Sequence, residues 1–235
     1  PYLAKDRELL DLIASGVDIY EAHARATMGY NDPRPLKEVD PKMRFLAKAR
    51  VLGLGYGCGP NKFVVVAKML AGLDITLQEA TSIVQSYREN SPKIVALWRK
   101  LDRALRIATD PNDRQLTIPL PSGRELVYRQ ITRKNGEITG LLPRLGKMME
   151  VKLYGGLLAE NATQAFARDV FMNRCMALED ADYEILLRVH DEVVLLVDES
   201  DAEAHRQAVE DIMSTPPSWC SDLPLGAEAI ISKQY

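Results

Sequence analysis

The spacing of apolar and polar residues changes along the chain, and the changes mark out its elements. Arg7–Gly16 and Asp18–Gly29 carry apolar residues three and four apart, the spacing of helices with one buried face. Asp18 suits an N-cap, and Gly16 and Gly29 suit helix stops. The stretch "YNDPRP" predicts a loop. Residues 41–57 read as one basic helix, with Asp40 as its N-cap and Pro41 at its first position. From Thr76 the pattern predicts two more helices broken near Ser91-Pro92, the first opened by a Thr76/Glu79 capping box. Over residues 115–131 the period falls to two and pivots on Pro121-Ser122-Gly123, a hairpin signal, and "KNGE" at 134–137 marks a second turn. Residues 150–180 form the longest helical stretch. "YEILLRVHDEVVLLVDE" is strand-like around a polar insert, "DAEAHRQAVEDIMS" is helical, and "LGAEAIISK" reads as a final strand. There is no internal repeat and no low-complexity segment.

Composition narrows the class. The chain has 235 residues, 46% hydrophobic and 27% charged, which fits one large globular domain or two intimate subdomains. No apolar run approaches the ~20 residues needed to span a bilayer, so no membrane partner is expected. No signal peptide is recognisable, and the first residue is Pro1 rather than Met, so a fragment is expected. Three cysteines (Cys58, Cys175, Cys220) without CxxC spacing exclude a disulfide scaffold and a structural zinc site and fit a reducing compartment.

Charge changes the picture more. The net charge of -3 hides a segregation: residues 34–152 hold 22 basic and 11 acidic side chains, whereas residues 153–235 hold 5 and 16. Such a division suits a half that meets a polyanion and a half that holds cations.

Three constellations carry candidate chemistry. In Arg44-x3-Lys48-x3-Leu52-x3-Tyr56-Gly57, steps of four keep successive residues on one helix face. Arg44 then presents a fork and Lys48 a point charge, a pairing suited to polyphosphate, beside a run rich in glycine (Gly53, Gly55, Gly57, Gly59). The plain alternative is a solvated basic face. His190-Asp191-Glu192 places two carboxylates at the bend of an apolar hairpin, where a buried pair would call for a hard cation such as Mg2+. The alternative is an ordinary polar turn. Finally, Asn161, Gln164 and Arg168, following Glu160, share a helix face whose donors suit minor-groove acceptors; the alternative is a hydrated face.

Taken together and in order, these segments resemble the family A DNA polymerases, of the DNA polymerase I type and especially their phage-like branch. "RFLAKARVLGLGYG" is similar to motif B (R-x3-K-x6-7-YG) and "VHDEV" to motif C. "YGGLLAENATQAFARDV" resembles the helix between them, and "DIYEAHARATMG" the segment before motif B. The resemblance covers essentially the whole chain and implies an α+β fold: a mostly helical fingers subdomain followed by an antiparallel palm sheet flanked by helices. Residues 1–34 would connect palm to fingers, 35–145 would form the fingers, and 146–235 the C-terminal palm with motif C.

The resemblance also implies roles. Arg44 and Lys48 would grip the triphosphate of an incoming dNTP, with Lys48 the proton donor to departing pyrophosphate. Leu52, Tyr56 and Tyr20 would complete the nucleotide site. Asp191 and Glu192 would hold Mg2+, two ions in the complete site, with Asp191 the catalytic aspartate. His190, Gln164, Asn161, Arg168 and Gly57 would contact primer-template DNA. The activity implied is template-directed two-metal nucleotidyl transfer to a primer 3'-hydroxyl, performed in the cytoplasm (the host's, if viral). Leu52 stands where the family has Phe or Tyr and offers no stacking face, and Tyr20 stands where many relatives have His. No D-[YF]-S-x-[IL]-E pattern, the family's motif A, occurs in these residues. The chain is therefore expected to be a fingers–palm piece, inactive alone, whose partner is the missing N-terminal portion carrying motif A and thumb, in cis or as a separate chain. The competing reading is a non-catalytic nucleic-acid-binding or accessory subunit of a split polymerase. An HD-type phosphohydrolase would need further ligands where only His23 and His205 remain. His23 is expected in the core or on the surface, Trp98 and Trp219 in packing, and Arg124 and Arg129 either near phosphate or in solvent.

Overall fold

The computed structural model describes residues 1–144 and 146–233. Helices come first: α1 (Arg7–Ala14), α2 (Ile19–Thr27), α3 (Leu36–Val39), α4 (Pro41–Ala49), α5 (Pro60–Ala71), α6 (Leu77–Asn90) and α7 (Pro92–Ile107). Four strands follow: β1 (Gln115–Pro119), β2 (Glu125–Lys134), β3 (Glu137–Arg144) and β4 (Lys147–Lys152). Then come the long helix α8 (Gly155–Asp180), the hairpin β5 (Ile185–Val189) and β6 (Glu192–Leu195), and α9 (Ala202–Ser214). The fold is α+β, as the sequence implied.

The chain divides into two compact units: residues 1–118 with 126–162, and residues 119–125 with 163–235. In the first, strands β1 to β4 form an antiparallel meander in sequence order, and the inner faces of α5, α6 and α7 pack with it around one core. That core contains Leu54, Phe63, Tyr87, Trp98, Leu105, Tyr128 and Ile131. In the second unit, among the described residues, β5 and β6 pair only with each other.

Local chemistry explains most boundaries. Asp18 caps α2 by accepting the Tyr20 and Glu21 amides, Asp40 caps α4 through the Met43 amide, and Thr76 with Glu79 forms the full capping box of α6. Ser91-Pro92 separates α6 from α7, because Pro92 donates no amide to continue the first helix but suits the first position of the second.

Four expectations are corrected. The basic helix over 41–57 is not uniform: after Ala49 it widens into a π-helical turn, Arg50–Leu54. Gly53 within it packs so closely on α5 that a Cβ there would meet Val66 at 2.6 Å. Helix α5 follows directly, in a stretch for which the pattern predicted no element. The β-structure also extends further than a hairpin and one turn. Residues 147–152 pair with β3, so the long helix starts at Gly155 rather than near 150. The final segment 225–233 is not a strand among the described residues. The amides of Ala227 and Ala229, which a ladder would use, instead donate to Ser214 and to the Glu210 carboxylate on α9.

Candidate nucleotide and nucleic-acid site

In the first unit, α4 presents Arg44 and Lys48 one turn apart, both half-buried. Arg44 lies over the ring of Tyr20 at 5.3 Å, a cation–π geometry, and pairs with Asp18 at 3.3 Å. Arg44 and Tyr20, both assigned to the nucleotide site by the resemblance, are thus adjacent. Asp18 divides its labour: Oδ1 caps α2 while Oδ2 holds the guanidinium. Leu52, 43% exposed, sits on the π turn. Its isobutyl group offers a surface to a ligand but no ring to stack.

Tyr56 and Gly57 close this segment, and two contacts fix them. The Trp98 indole N–H donates to the carbonyl of Gly55 at 3.0 Å. Gly156, at the start of α8, lies against the Tyr56 carbonyl, where a Cβ would come within 2.2 Å of the oxygen. Its neighbour Gly155 is equally tight against the Trp98 carbonyl, at 2.1 Å, and its amide donates to Asp102. The Gly155-Gly156 pair is therefore what lets α8 begin in contact with both α7 and the end of the π turn.

Behind the π turn the core is polar. Arg50 is 4% exposed, and its Nε and one terminal nitrogen have no hydrogen-bond partner among the described residues. Its guanidinium lies 5.7 Å from the Tyr87 ring, which in turn lies 5.6 Å from His23. Burial, together with the nearby Arg50 charge, pushes His23 down to about 3, so the imidazole is neutral at pH 7. Burial likewise pushes the Tyr87 phenol up to about 12 and holds Arg50 below the usual guanidinium range. His23 is a core residue, as expected.

In the second unit, the His190-Asp191 pair forms the two-residue turn of the β5–β6 hairpin, since Val189 and Glu192 are the last paired positions. His190 takes the left-handed conformation, φ 54°. Asp191 and Glu192 are both exposed, and neither enters an ion pair among the described residues. The argument that their burial demands a cation is corrected: hydrated carboxylates at a turn need no counter-ion to be stable. Among the described residues no group of three or more His, Cys, Asp or Glu side chains forms a metal-binding cluster.

Helix α8 carries Asn161, Gln164 and Arg168 on one face. Gln164 and Arg168 are exposed, and Arg168 lies over the Phe171 ring at 5.7 Å. Asn161 is already engaged: its amide donates to the Tyr128 hydroxyl at 2.9 Å.

The chain is 31% identical to the DNA polymerase of Bacillus phage SP02, an alignment that takes in all of this chain and 38% of that protein. It is 26% identical to a thermostable DNA polymerase I of Thermus filiformis, over all of this chain and 25% of that protein. Over its whole length the chain is similar to DNA polymerases of a phage and of bacteria. It spans about two fifths of the length of the phage relative and a quarter of the bacterial one. No family model matches it. The same fold occurs in the POL domain of Pol1 from M. smegmatis, solved in complex with DNA primer-template and dNTP. That match has a TM-score of 0.63 at 22% identity and covers 95% of this chain and 35% of that one. No helix among the described residues of this polymerase relative is long and apolar enough to cross a membrane.

Other contacts shape these segments without announcing themselves in the sequence. Asp169 on α8 accepts from Ser122 at 2.5 Å and from Arg124 at 2.8 Å, and Arg124 also donates to the Ala165 carbonyl. Arg124 is thus a structural anchor of the β1–β2 tip rather than a loose phosphate contact. Arg129 is exposed on β2. Trp219 packs edge-on against Phe166, with ring centroids 5.9 Å apart, as a packing residue should. Asp169 gave no signal beyond its charge, because its partners lie some 45 residues away in the chain.

Proposed function

We propose that the chain is the fingers and C-terminal palm portion of a DNA-directed DNA polymerase, with residues 35–145 as fingers, 146–235 as palm and 1–34 connecting them. The observation that carries this reading is the juxtaposition of Arg44, Tyr20 and Lys48 on and beside one helix face, in a chain related throughout its length to DNA polymerases.

In this reading Arg44 exchanges the Asp18 carboxylate for the triphosphate of a dNTP, forming charge-assisted bonds, while Tyr20 supports its guanidinium from below. Lys48, one turn on, follows the same charge and gives a proton to departing pyrophosphate. Leu52 and Tyr56 border the sugar and the templating position. Gln164, Arg168, His190 and Gly57 face primer-template DNA, with Asn161 serving them indirectly through Tyr128.

Asp191 and Glu192 fit one side of a Mg2+ site: their oxygens are hard donors, they are exposed, and no cation among the described residues neutralises them. Bound there, two Mg2+ ions would supply an acidified primer 3'-hydroxyl and a neutralised triphosphate. A further carboxylate from the rest of the polymerase completes the site. The β5–β6 hairpin supports such a partner, in cis or as a separate chain, because it is two-stranded and exposes Leu186, Leu187 and Val189. Synthesis then needs that partner, and the work is done in the cytoplasm, the host's if the polymerase is viral.

The test is primer extension with dNTP and Mg2+. The 235 residues alone are expected to extend no primer. A polymerase containing them is expected to do so, losing at least a hundredfold in rate with Asp191→Asn and weakening for dNTP with Arg44→Ala. Robust Asp191-dependent synthesis by the isolated chain overturns the need for a partner. Unchanged synthesis by Asp191→Asn overturns the catalytic assignment, and favours the non-catalytic accessory reading.

A further inference from the structure

Helix α7 carries Lys93, Arg99, Lys100, Arg103 and Arg106, all exposed. At 100° per residue they fall within less than half of the helix circumference, opposite the buried Trp98, Leu101 and Leu105. The one carboxylate on the helix, Asp102, lies off this face and accepts the Gly155 amide. None of the five cations is in an ion pair among the described residues, although Arg25, Arg34, Lys68, Arg124 and Arg206 all are. The stripe from Lys93 to Arg106 is about 20 Å long. Its C-terminal end opens on a cavity of about 260 Å3, lined by Arg106 with Arg133 and Lys152 from the sheet. There Glu137, which pairs with Lys152, and Asp102 offset two of the three positive charges, and the lining stays net positive.

We propose that this face of α7, continued into the Arg106–Arg133 cavity, is a second nucleic-acid contact that holds the phosphodiester backbone of a DNA strand without reading its bases. Five unpaired cations on one rigid face repel one another unless an anion of comparable length lies along them. About 20 Å of duplex presents roughly six phosphates per strand, which matches the length and number of the cations. The face has no exposed aromatic side chain, so it offers no platform for stacked bases. Its only exposed apolar residues are Ala96 and Ile107, too few for a lipid surface or a protein groove. The identity of the polyanion as DNA rests on the polymerase reading; the site itself is separate from the Arg44–Lys48 face.

The experiment measures binding of a labelled primer-template duplex to the full chain by fluorescence anisotropy from 50 to 200 mM salt. The comparison is between the wild type and the triple variant Arg99→Gln, Lys100→Gln, Arg103→Gln. Each lost phosphate contact should reduce the slope of log K against log salt by about 0.9 on duplex. The triple variant should therefore lose about two to three units of slope, equally on unrelated sequences, while dNTP binding at the Arg44–Lys48 face stays unchanged. Lys37→Gln with Lys147→Gln, removing two exposed cations elsewhere, should leave the slope alone. A wild-type slope in the triple variant overturns the proposal, as does binding to phosphatidylserine vesicles that the triple variant loses while its DNA slope holds. If the wild type binds dNTP and DNA but the slope does not change, only this inference fails. If the wild type binds no DNA, the polymerase reading fails with it.

Discussion

Gly156 lies so close to the Tyr56 carbonyl that a single added methyl would overlap the oxygen, at 2.2 Å. Gly156→Ala should therefore cost about 1–3 kcal/mol despite the better helix propensity of alanine, because backbone must move to admit it. Gly226→Ala meets only open space outside any helix or strand and is the control, expected within about 0.5 kcal/mol of the wild type. Urea unfolding of both variants measures the difference, and equal midpoints would show that the contact yields without strain.

Trp98→Phe keeps most of the ring volume and removes the donor to Gly55. The orphaned carbonyl should lower stability by about 1–2 kcal/mol. Because Gly55 precedes Tyr56, dNTP affinity should fall as well. A variant that loses stability but keeps full dNTP affinity would show that the bond is structural only.

His23 predicts how stability depends on pH. Its folded value, about 3, lies below the ordinary 6.5, so the unfolded chain binds a proton that the folded chain refuses. The contribution of the neutral imidazole is complete above pH 6.5 and declines as pH falls from there toward 3, by up to about 1.4 kcal/mol per unit. Thermal melts at pH 7, 5.5 and 4.5 should show the decline in the wild type and a flatter profile in His23→Gln. Parallel profiles would assign the acid sensitivity to other groups.

Asp169 is largely buried beneath Ser122 and Arg124, with 13% of its side chain exposed. Asp169→Ala leaves two donors unmatched and should cost roughly 1–3 kcal/mol. Arg124→Gln should leave the salt dependence of DNA binding unchanged, since its guanidinium is occupied by the anchor. A reduced slope in Arg124→Gln would return that residue to the phosphate contacts.

The sequence by itself determined the helices with strong local signals. Asp18, Asp40 and the Thr76/Glu79 box act on amides within three residues, so their caps were legible without tertiary knowledge. The turn at His190-Asp191 was legible in the same way, as a polar insert between two apolar strands. The spacing of Arg44 and Lys48 likewise sufficed to place them on one helix face, and the order of the motifs sufficed to suggest the family.

Tertiary structure decided what depends on distant partners. The π turn at Arg50–Leu54 packs Gly53 closely on α5, and in 225–233 the amides of Ala227 and Ala229 go to α9 side chains instead of a ladder. Asn161 is bonded to Tyr128, 33 residues away, a contact no local pattern reports. Asp191 and Glu192 proved hydrated rather than buried, which no local pattern could report. Local hydrogen bonds and periodicity are written within a few residues, whereas burial and long-range pairing depend on which segments the whole chain brings together.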